Sequence, residues 1–452
     1  MRKNDVLTLR IEGMTSEGLG VARSEGRAIF VPGTIEGELW TLGLTKVGAN
    51  AVYARRIELV EPSPHRIEPD CPWFGRCGGC DFRHMDYQEE LRVKAQRVRD
   101  ALRRIGGLEV GEVPILGAAE QEHYRNKAVY PVRQSPDGPQ IGFFRARTHE
   151  IIDAAACRIQ DAAADAARAA VLDWMARYAI RGYDEAAGTG YVRSLLVRTA
   201  KATGEVLVCL AVNDEKLPRT KELVSALRER VPGLRTVVQS VHKRPGNAVL
   251  GERFIPLWGD GWIEDILCGA RFRISAASFY QVNHDQAERL YGMARDAAAL
   301  TGGETLLDLY CGTGNIGLTM AKDAARVVGV EIVPQAVEDA KANAALNGAQ
   351  NAEFYCADAA EAARRFAEAG ERPDVIVVDP PRKGLAPAVI DAMADMAPGR
   401  IVYVSCDPAT LARDLKRLTE KGYALQSVRA ADLFPRCAHV ETVALMSRVG
   451  TN

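Results

Sequence analysis

Cys406 is a cysteine whose position in the sequence could make it a nucleophile. It ends the apolar run 400–406, which predicts a buried strand, and a helix is predicted to open at Ala409. A thiol beside a helix N-terminus can be activated, because the positive end of the helix dipole stabilises the thiolate. A cysteine that stands alone at such a place is more often a small buried residue. The surrounding residues must decide between these two interpretations.

A glycine-rich turn marks a candidate cofactor site. Asp308 stands near the end of an apolar strand, and Gly312, Gly314 and Gly317 open the helix that follows. Such a turn lets the backbone approach a ligand at the carboxyl edge of a parallel sheet. Glu331 ends the next predicted strand, where a carboxylate can accept hydrogen bonds from both ribose hydroxyls. These features suit a dinucleotide and S-adenosyl-L-methionine equally well.

Four of the ten cysteines form a second pattern. Cys71, Cys77 and Cys80 lie on one glycine-containing loop, and Cys157 lies far downstream. Four cysteines are the usual ligands of a four-iron, four-sulfur (4Fe-4S) cluster, so this spacing favours such a cluster. A structural zinc site is an alternative, although zinc ribbons favour two close pairs; unliganded thiols are another. Five more cysteines sit in or near apolar runs and are interpreted as core residues: Cys209, Cys268, Cys311, Cys356 and Cys437.

The elements that must position these residues differ along the chain. In the last third, nearly all-apolar strands alternate with helices, which predicts a doubly wound parallel sheet. The N-terminal region carries short strands separated by glycine-rich turns, which predicts a small β-barrel. The region between them predicts an α+β domain with an antiparallel sheet. We therefore divide the chain into domains at 1–60, 65–285 and 286–452.

One predicted helix has a strongly basic face. Apolar residues recur at helical spacing from Leu91 to Ile105, and Gly106-Gly107 ends the run. The basic side chains on the other face are Arg92, Lys94, Arg97, Arg99, Arg103 and Arg104. Charged helix faces are usually solvated, so we interpret this face as solvated, with contact to nucleic acid as the alternative.

Composition and the distribution of apolar residues argue against a secreted or a membrane-spanning protein. The chain has 452 residues, of which 47% are hydrophobic and 26% charged, and its net charge is −1. Binding to nucleic acid would therefore have to come from local patches. The N-terminus lacks the apolar core of a signal peptide, and no stretch approaches the roughly 20 apolar residues of a membrane helix. We expect a cytoplasmic protein that does not associate with a membrane.

Several segments link the glycine-rich turn to the thiol. They are Asp308-Leu309-Tyr310-Cys311, Asp379-Pro380-Pro381-Arg382, Ser405-Cys406-Asp407-Pro408, Asp432-Leu433-Phe434-Pro435 and His439-Val440-Glu441-Thr442. Together they resemble the RNA uridine-5-methyltransferase family, which implies a class I methyltransferase fold and the cofactor S-adenosyl-L-methionine. Amino-methylating enzymes carry a stacking aromatic residue at the position of Arg382, so they match less well.

The resemblance implies a role for individual residues. Cys406 would be the nucleophile and Glu441 the general base. The cofactor-binding residues would be Gln281, Tyr310, Glu331 and Asp379. Uracil C5 is too weak a nucleophile to take a methyl group from a sulfonium, and thiolate addition at C6 makes C5 enolate-like. A base must then remove the C5 proton. By the same family pattern, His439 is structural.

The resemblance extends over nearly the whole chain. The segment 15–37 is similar to a TRAM domain, a small RNA-binding β-barrel, and the segment 124–127 is similar to an RNA-contacting segment. Family members with the same cysteine spacing carry a 4Fe-4S cluster, which implies the ligands Cys71, Cys77, Cys80 and Cys157. One departure is Cys437, where the family often has threonine.

The resemblance also implies a partner. Family members with both a TRAM domain and the cluster usually act on 23S ribosomal RNA, so we predict this substrate, with tRNA as the alternative. A second alternative is an iron–sulfur RNA-binding protein whose methyltransferase domain is silent. No obligate protein partner is expected. The fold class is therefore multidomain: a TRAM-like barrel, an α+β domain with an iron–sulfur segment, and an α/β class I methyltransferase fold.

Overall fold

The computed structural model describes residues 1–146, 148–184, 187–243, 246 and 248–450. Within these ranges, no helix is both long and apolar enough to cross a lipid bilayer. The strands and helices fall into three successive groups, each built around its own sheet.

The N-terminal group is a six-stranded sheet of order β1-β5-β6-β4-β3-β2. Its strands are β1 (Val6–Arg10), β2 (Gly13–Met14), β3 (Leu19–Ser24), β4 (Arg27–Pro32), β5 (Leu39–Val47) and β6 (Val52–Glu61). Burial alternates along the strands, as in β4, where Ile29 and Val31 are buried. This period of two places one apolar row in a core.

The middle group begins with α1 (Tyr87–Ala101), which continues as one π-helical turn, Leu102–Gly106. Its strands are β7 (Ile115–Leu116), β8 (Lys127–Ser135), β9 (Gly138–Ile141), β10 (Phe143–Phe144), β11 (Ile151–Ile152), β12 (Val192–Thr199), β13 (Val206–Val212), β14 (Leu234–Val241), β15 (Arg253–Trp258), β16 (Trp262–Leu267) and β17 (Ala270–Ser275). Its other helices are α2 (Ala162–Arg177) and α3 (Thr220–Arg230).

The main sheet of this group has the order β15-β14-β13-β12-β8-β9. The predicted antiparallel sheet is wrong in one respect, because β13 and β14 run parallel. Helix α3 lies between these two strands in the chain and forms the crossover connection that a parallel pair requires. The sheet is therefore mixed.

The C-terminal group alternates strands and helices. Its strands are β18 (Thr305–Leu309), β19 (Arg326–Glu331), β20 (Ala352–Cys356), β21 (Val375–Val378), β22 (Arg400–Ser405), β23 (Tyr423–Ala431) and β24 (Glu441–Arg448). Its helices are α4 (His284–Ala298), α5 (Asn315–Met320), α6 (Pro334–Leu346), α7 (Ala359–Glu368), α8 (Pro387–Met396) and α9 (Pro408–Glu420).

The C-terminal sheet has the order β20-β19-β18-β21-β22-β24-β23-β7. The first five strands are parallel, whereas β24 is antiparallel to both β22 and β23. The chain runs outward from β18 through β19 to β20 and then returns to β21 on the other side of β18. This reversal creates a crevice at the carboxyl ends of β18 and β21, where α/β proteins bind ligands.

The two larger sheets share a core. Leu196 and Val238 of the middle sheet belong to the same buried apolar cluster as Leu306 and Val375 of the C-terminal sheet. Strand β7, which we assigned to the middle domain, joins the C-terminal sheet beside β23. The crevice is therefore formed against a firmly packed second layer.

Candidate active site

A cavity of about 750 Å³ lies at the crevice. All six residues that the family resemblance singled out line it: Gln281, Tyr310, Glu331, Asp379, Cys406 and Glu441. They come from separate parts of the chain, and the fold brings them to one edge of the C-terminal sheet. The cavity is large enough for a nucleoside-sized ligand beside a base.

The glycine-rich turn forms the floor of the cavity. Tyr310 and Gly314 have positive φ angles of 67° and 83°, so the chain turns sharply after β18. The Asp308 carboxylate accepts a hydrogen bond from the Gly317 amide at 2.8 Å, which ties the strand to α5. Its other oxygen, Oδ1, is buried with no partner among the described residues. A buried acceptor of this kind needs a donor, which a bound ligand could supply.

Glu331 is held rigidly at the end of β19. One carboxylate oxygen accepts a hydrogen bond from the Gly312 amide at 3.1 Å, and the other accepts one from the Val333 amide at 2.9 Å. The next residue, Ile332, is 60% exposed and lines the same cavity. A fixed acceptor beside an exposed apolar side chain suits the ribose and base of a nucleoside.

Gln281 reaches the cavity from the segment before α4. The Asn126 side chain donates to the Gln281 carbonyl at 2.8 Å, and the Asn126 amide donates to the Val282 carbonyl at 2.8 Å. The Gln281 side chain shares the cavity wall with the buried Tyr291. Phe279, which could have been a buried helix-start residue, is 60% exposed and lines the cavity.

Cys406 and Glu441 face each other across adjacent strands. Ser405 of β22 pairs with Thr442 of β24 in the antiparallel ladder, so one further step of the register sets Cys406 opposite Glu441. Glu441 is only 4% exposed, whereas Cys406 is partly exposed toward the cavity. A thiol and a carboxylate thus stand on one wall.

The electrostatic environment keeps the thiol protonated. Burial, and next the charges of Glu441 and Asp379, raise the pKa of Cys406 to about 11. Burial likewise raises the pKa of Asp379 to about 7, and burial together with Asp379 raises the pKa of Glu441 well above its ordinary value. At neutral pH the thiol is therefore the dominant form.

The expected activation of Cys406 by the N-terminus of α9 stays a prediction. Asp407 caps this helix, and its carboxylate accepts hydrogen bonds from the amides of Ala409 at 2.9 Å and Thr410 at 3.0 Å. The capping carboxylate satisfies these free donors and offsets part of the positive end of the helix dipole. The cap therefore weakens the stabilisation that the helix can give to a thiolate at Cys406.

The loop between β23 and β24 closes the cavity. Phe434 and His439 both line it, and Arg382 donates to His439 Nε2 at 3.1 Å. Burial, and next the Arg382 charge, lower the pKa of His439 to about 4. His439 is neutral at physiological pH and accepts the Arg382 hydrogen bond, which agrees with a structural role.

Helix α1 holds this loop, and here one interpretation is wrong. We placed Lys94 on a solvated basic face, but its side chain is 1% exposed and bonds to Glu90 and Asp432, each at 2.7 Å. Arg97 donates to the Ala438 carbonyl at 2.7 Å. Lys94 is buried because the loop packs over it, and sequence periodicity does not reveal that packing.

Sequence reasoning missed Asp358 and Tyr291 of the cavity wall, whereas a third residue, Lys127, belongs to the segment 124–127 that the sequence analysis singled out. Asp358 follows β20 and caps α7, accepting from the Ala360 amide at 2.9 Å. An acid after a parallel strand was a usable signal for this residue. Tyr291 is buried in α4, and Lys127 begins β8. Burial, and next the charges of Arg198 and Arg125, lower the pKa of Lys127 to about 8.

The four cysteines of the second pattern line one separate cavity of about 430 Å³, which Cys437 also lines. Burial, and next the Cys71 and Cys437 thiols, raise the pKa of Cys77, and burial and the Cys77 thiol raise that of Cys157. The Cys437 thiol donates to the Gly79 carbonyl at 3.1 Å. Across the described part of the chain, no three histidine, cysteine or acidic side chains converge on the position of a single metal ion.

Comparison with known proteins defines the class. A family model described as tRNA (uracil-5-)-methyltransferase matches residues 268–449. An RNA methyltransferase of Halalkalibacterium halodurans, described as uncharacterized, is 42% identical over 447 residues, which cover 99% of this chain and 98% of that protein. A similar protein of Clostridium tetani is 41% identical over 450 residues, which cover 100% of this chain and 98% of the relative.

A solved structure is also similar. The Pyrococcus abyssi tRNA (uracil-54, C5)-methyltransferase in complex with S-adenosyl-L-homocysteine has a TM-score of 0.78 and 27% identity, covering 97% of this chain and 100% of that chain. Fold and cavity therefore define an S-adenosyl-L-methionine-dependent RNA methyltransferase, and the predicted methyltransferase fold is confirmed. The chain belongs to the RNA uridine-5-methyltransferase family.

Proposed function

We propose that the enzyme methylates C5 of a uridine in 23S ribosomal RNA, with Cys406 as the nucleophile and Glu441 as the general base. The observation that supports this most is the β22–β24 register, which sets the thiol opposite a buried carboxylate. Both lie in the cavity that also contains the Glu331 and Gln281 side chains.

The residues of the cavity fit S-adenosyl-L-methionine, which supplies an electrophilic methyl group when bound. Glu331 offers a fixed carboxylate to the ribose hydroxyls, and Ile332 offers apolar contact to the adenine. The buried Asp308 Oδ1 has no partner among the described residues and can accept a hydrogen bond from the cofactor. Gln281 and Tyr310 line the same cavity.

Cys406 and Glu441 act on the uracil in sequence. The thiolate forms a bond to C6, and the electrons of the C5–C6 double bond move toward the C4 carbonyl, so that C5 becomes nucleophilic. After C5 is methylated, Glu441 removes the C5 proton, the C6–S bond breaks and the double bond re-forms. Burial suits Glu441 to this step, because a carboxylate whose pKa is raised is a stronger base.

Two variants test these roles. Glu441→Gln blocks proton removal, so it should accumulate a covalent protein–RNA adduct on denaturing gels. Cys406→Ala should form none, and an adduct with that variant would reassign the nucleophile. Release of tritium from 5-tritiated uridine RNA separates an active enzyme from a silent RNA-binding protein, since only catalysis exchanges the C5 hydrogen.

The substrate proposal has one competitor. The N-terminal sheet and the cysteine segment favour 23S ribosomal RNA by family resemblance. However, the Pyrococcus abyssi tRNA enzyme matches 97% of this chain, which favours tRNA as the second candidate. Mass mapping of 5-methyluridine in ribosomal RNA and tRNA from a deletion strain decides between them, because only the true substrate loses the modification.

The N-terminal sheet is proposed to be a TRAM-like RNA-binding domain, and Cys71, Cys77, Cys80 and Cys157 are proposed to hold a 4Fe-4S cluster. The four thiols share one cavity. In such a cluster each thiolate binds a different iron, so the thiols need not converge on one point. Iron and acid-labile sulfide measured in anaerobically purified protein test the proposal. Zinc without sulfide would instead indicate a structural zinc site.

A further inference from the structure

One row of side chains on β8 lies on the sheet face opposite the apolar cluster of the middle group, and Val129 of this row packs at the edge of the core shared with the C-terminal sheet. Alternate residues of the strand, Ala128, Tyr130 and Val132, are buried in an apolar cluster. The residues between them are only partly buried: Lys127, Val129, Pro131 and Arg133. Because strand residues alternate between faces, these four form one continuous row.

This row connects three cavities. Lys127 lines both the active-site cavity and the cysteine cavity. Val129 lines the cysteine cavity and a third cavity of about 360 Å³, which Arg133 also lines. Six residue steps along a strand span about 20 Å, a distance that a few unpaired nucleotides can cover. The row therefore leads from the catalytic centre to the third cavity.

Flat aromatic and guanidinium groups form the walls of the third cavity. The Arg133 guanidinium lies 5.6 Å from the Phe144 ring centroid, and Phe144 stacks on His149 with centroids 5.3 Å apart. On another wall, the Arg193 guanidinium lies 4.2 Å from the Tyr183 ring centroid. Phe144 is 36% exposed. Surfaces of this kind stack unpaired bases with little dependence on sequence.

The charge of the cavity favours a polyanion. Among its described lining residues are two arginines and no carboxylate. The cysteine cavity that lies between it and the active site is lined, in the described part of the chain, by five cationic side chains and one carboxylate: Arg83, Arg125, Lys127, Arg158, Arg382 and Asp81. This local concentration contrasts with the net charge of −1 for the whole chain. A strand of RNA whose target uridine is bound at Cys406 would meet this surface next.

We propose that the cavity between Arg133, Phe144, Tyr183 and Arg193 binds an unstacked nucleobase of the RNA strand that flanks the target uridine. This proposal rests on the proposed function, because it assumes that the flanking strand leaves the active-site cavity along β8. The cysteine loop contacts the segment that joins β10, which carries Phe144, to β11: Ala146 donates its amide to the Arg76 carbonyl at 3.1 Å, and Cys77 forms a β-bridge with Arg145.

The test measures binding of a fluorescein-labelled, unstructured polyuridylate strand by fluorescence anisotropy at fixed salt. Phe144→Ala and Tyr183→Ala should each weaken binding about tenfold, because each removes a stacking surface. Phe144→Trp should preserve binding. The matched control is Phe254→Ala: Phe254 is 37% exposed and lies on β15, at the edge of the middle sheet opposite β8 and β9, so its removal should leave binding unchanged.

The outcomes separate this inference from the proposed function. If wild-type protein methylates RNA but Phe144→Ala and Tyr183→Ala bind the strand like the Phe254 control, the base-binding cavity is refuted and the enzyme stands. If the two variants weaken binding but wild-type protein releases no tritium, the cavity stands and the catalytic proposal fails. If Phe144→Ala and Tyr183→Ala weakened binding of free uridine monophosphate but left binding of the strand unchanged, the cavity would not bind a base of the flanking RNA, and the proposal would be refuted.

Discussion

Lys94 Nζ lies 2.7 Å from Asp432 Oδ1, and this contact joins α1 to the loop that precedes β24. The same ammonium donates to Glu90 Oε1 at 2.7 Å and to the Phe434 carbonyl at 3.1 Å. The Lys94, Glu90 and Asp432 side chains are all at most 1% exposed. Because the loop carries Phe434 and leads to Glu441, this buried network positions one wall of the active site.

Replacement of the buried Lys94 ammonium by an uncharged side chain should destabilise the fold. Lys94→Met leaves the buried Asp432 carboxylate without its cation and leaves Glu90 with only the Arg436 guanidinium at 3.6 Å, which should cost about 3–5 kcal/mol at neutral pH. Unpaired buried carboxyls have raised pKa values, so the decrease in the free energy of unfolding should grow as the pH rises above about 4, the ordinary pKa of a carboxyl. Urea unfolding at several pH values measures this decrease.

Arg104→Met is the control for the buried lysine. Arg104 lies on the π-helical turn that continues α1, pairs with Asp100 at 3.3 Å and has a side chain that is 70% exposed. Exposed pairs contribute at most about 1 kcal/mol. Equal losses of unfolding free energy for Lys94→Met and Arg104→Met would show that the buried network does not stabilise the fold.

Alkylation of Cys406 should depend steeply on pH. With a pKa of about 11, the thiolate fraction rises about tenfold per pH unit through the neutral and mildly alkaline range, and only the thiolate reacts. Iodoacetamide labelling followed by peptide mass spectrometry gives the rate at this cysteine. A rate that is already constant between pH 6 and 8 would contradict the raised pKa.

A change at Glu441 should alter the same reaction. Glu441→Gln removes a negative charge that raises the thiol pKa, so the pKa should fall and alkylation at a given pH should become faster. Asp379→Asn should also lower the pKa of Cys406 and make alkylation faster, since the Asp379 charge is the next contributor to the raised thiol pKa. Slower alkylation in both variants would show that neither carboxylate faces the thiol.

Cofactor binding should depend on Glu331. Glu331→Gln should weaken S-adenosyl-L-homocysteine binding about tenfold to a hundredfold, because a charged acceptor becomes a neutral one. Isothermal titration calorimetry measures the affinity. Glu338→Gln on α6 is the control, since its side chain is 67% exposed and pairs only with Lys341 in the described contacts. Unchanged affinity in Glu331→Gln would remove Glu331 from the site.

Iron content should depend on the four cysteines. Cys77→Ser should lower iron and acid-labile sulfide per protein chain to a small fraction of the wild-type value, because the proposed cluster would lose a ligand. Cys356→Ser is the control: the interpretation of Cys356 as a core residue is wrong, since it is exposed at the end of β20, and it lies outside the cysteine cavity. Equal iron in the two variants would mean that Cys77 is not a ligand.

Local patterns determined much of this protein from the sequence alone. The apolar strands and the glycine-rich turn predict the parallel sheet and its crevice, because strand burial and tight turns leave their mark on neighbouring residues. Cys406 and Glu441 could be named because each stands in a short, specific motif.

Only the tertiary structure decided which distant segments meet. It buried Lys94 against Asp432, although 338 positions separate them, and it added β7 to the C-terminal sheet. It also showed that Asp407, the residue after Cys406, caps α9. These outcomes depend on packing between segments far apart in the chain, and periodicity within one segment carries no information about its partner.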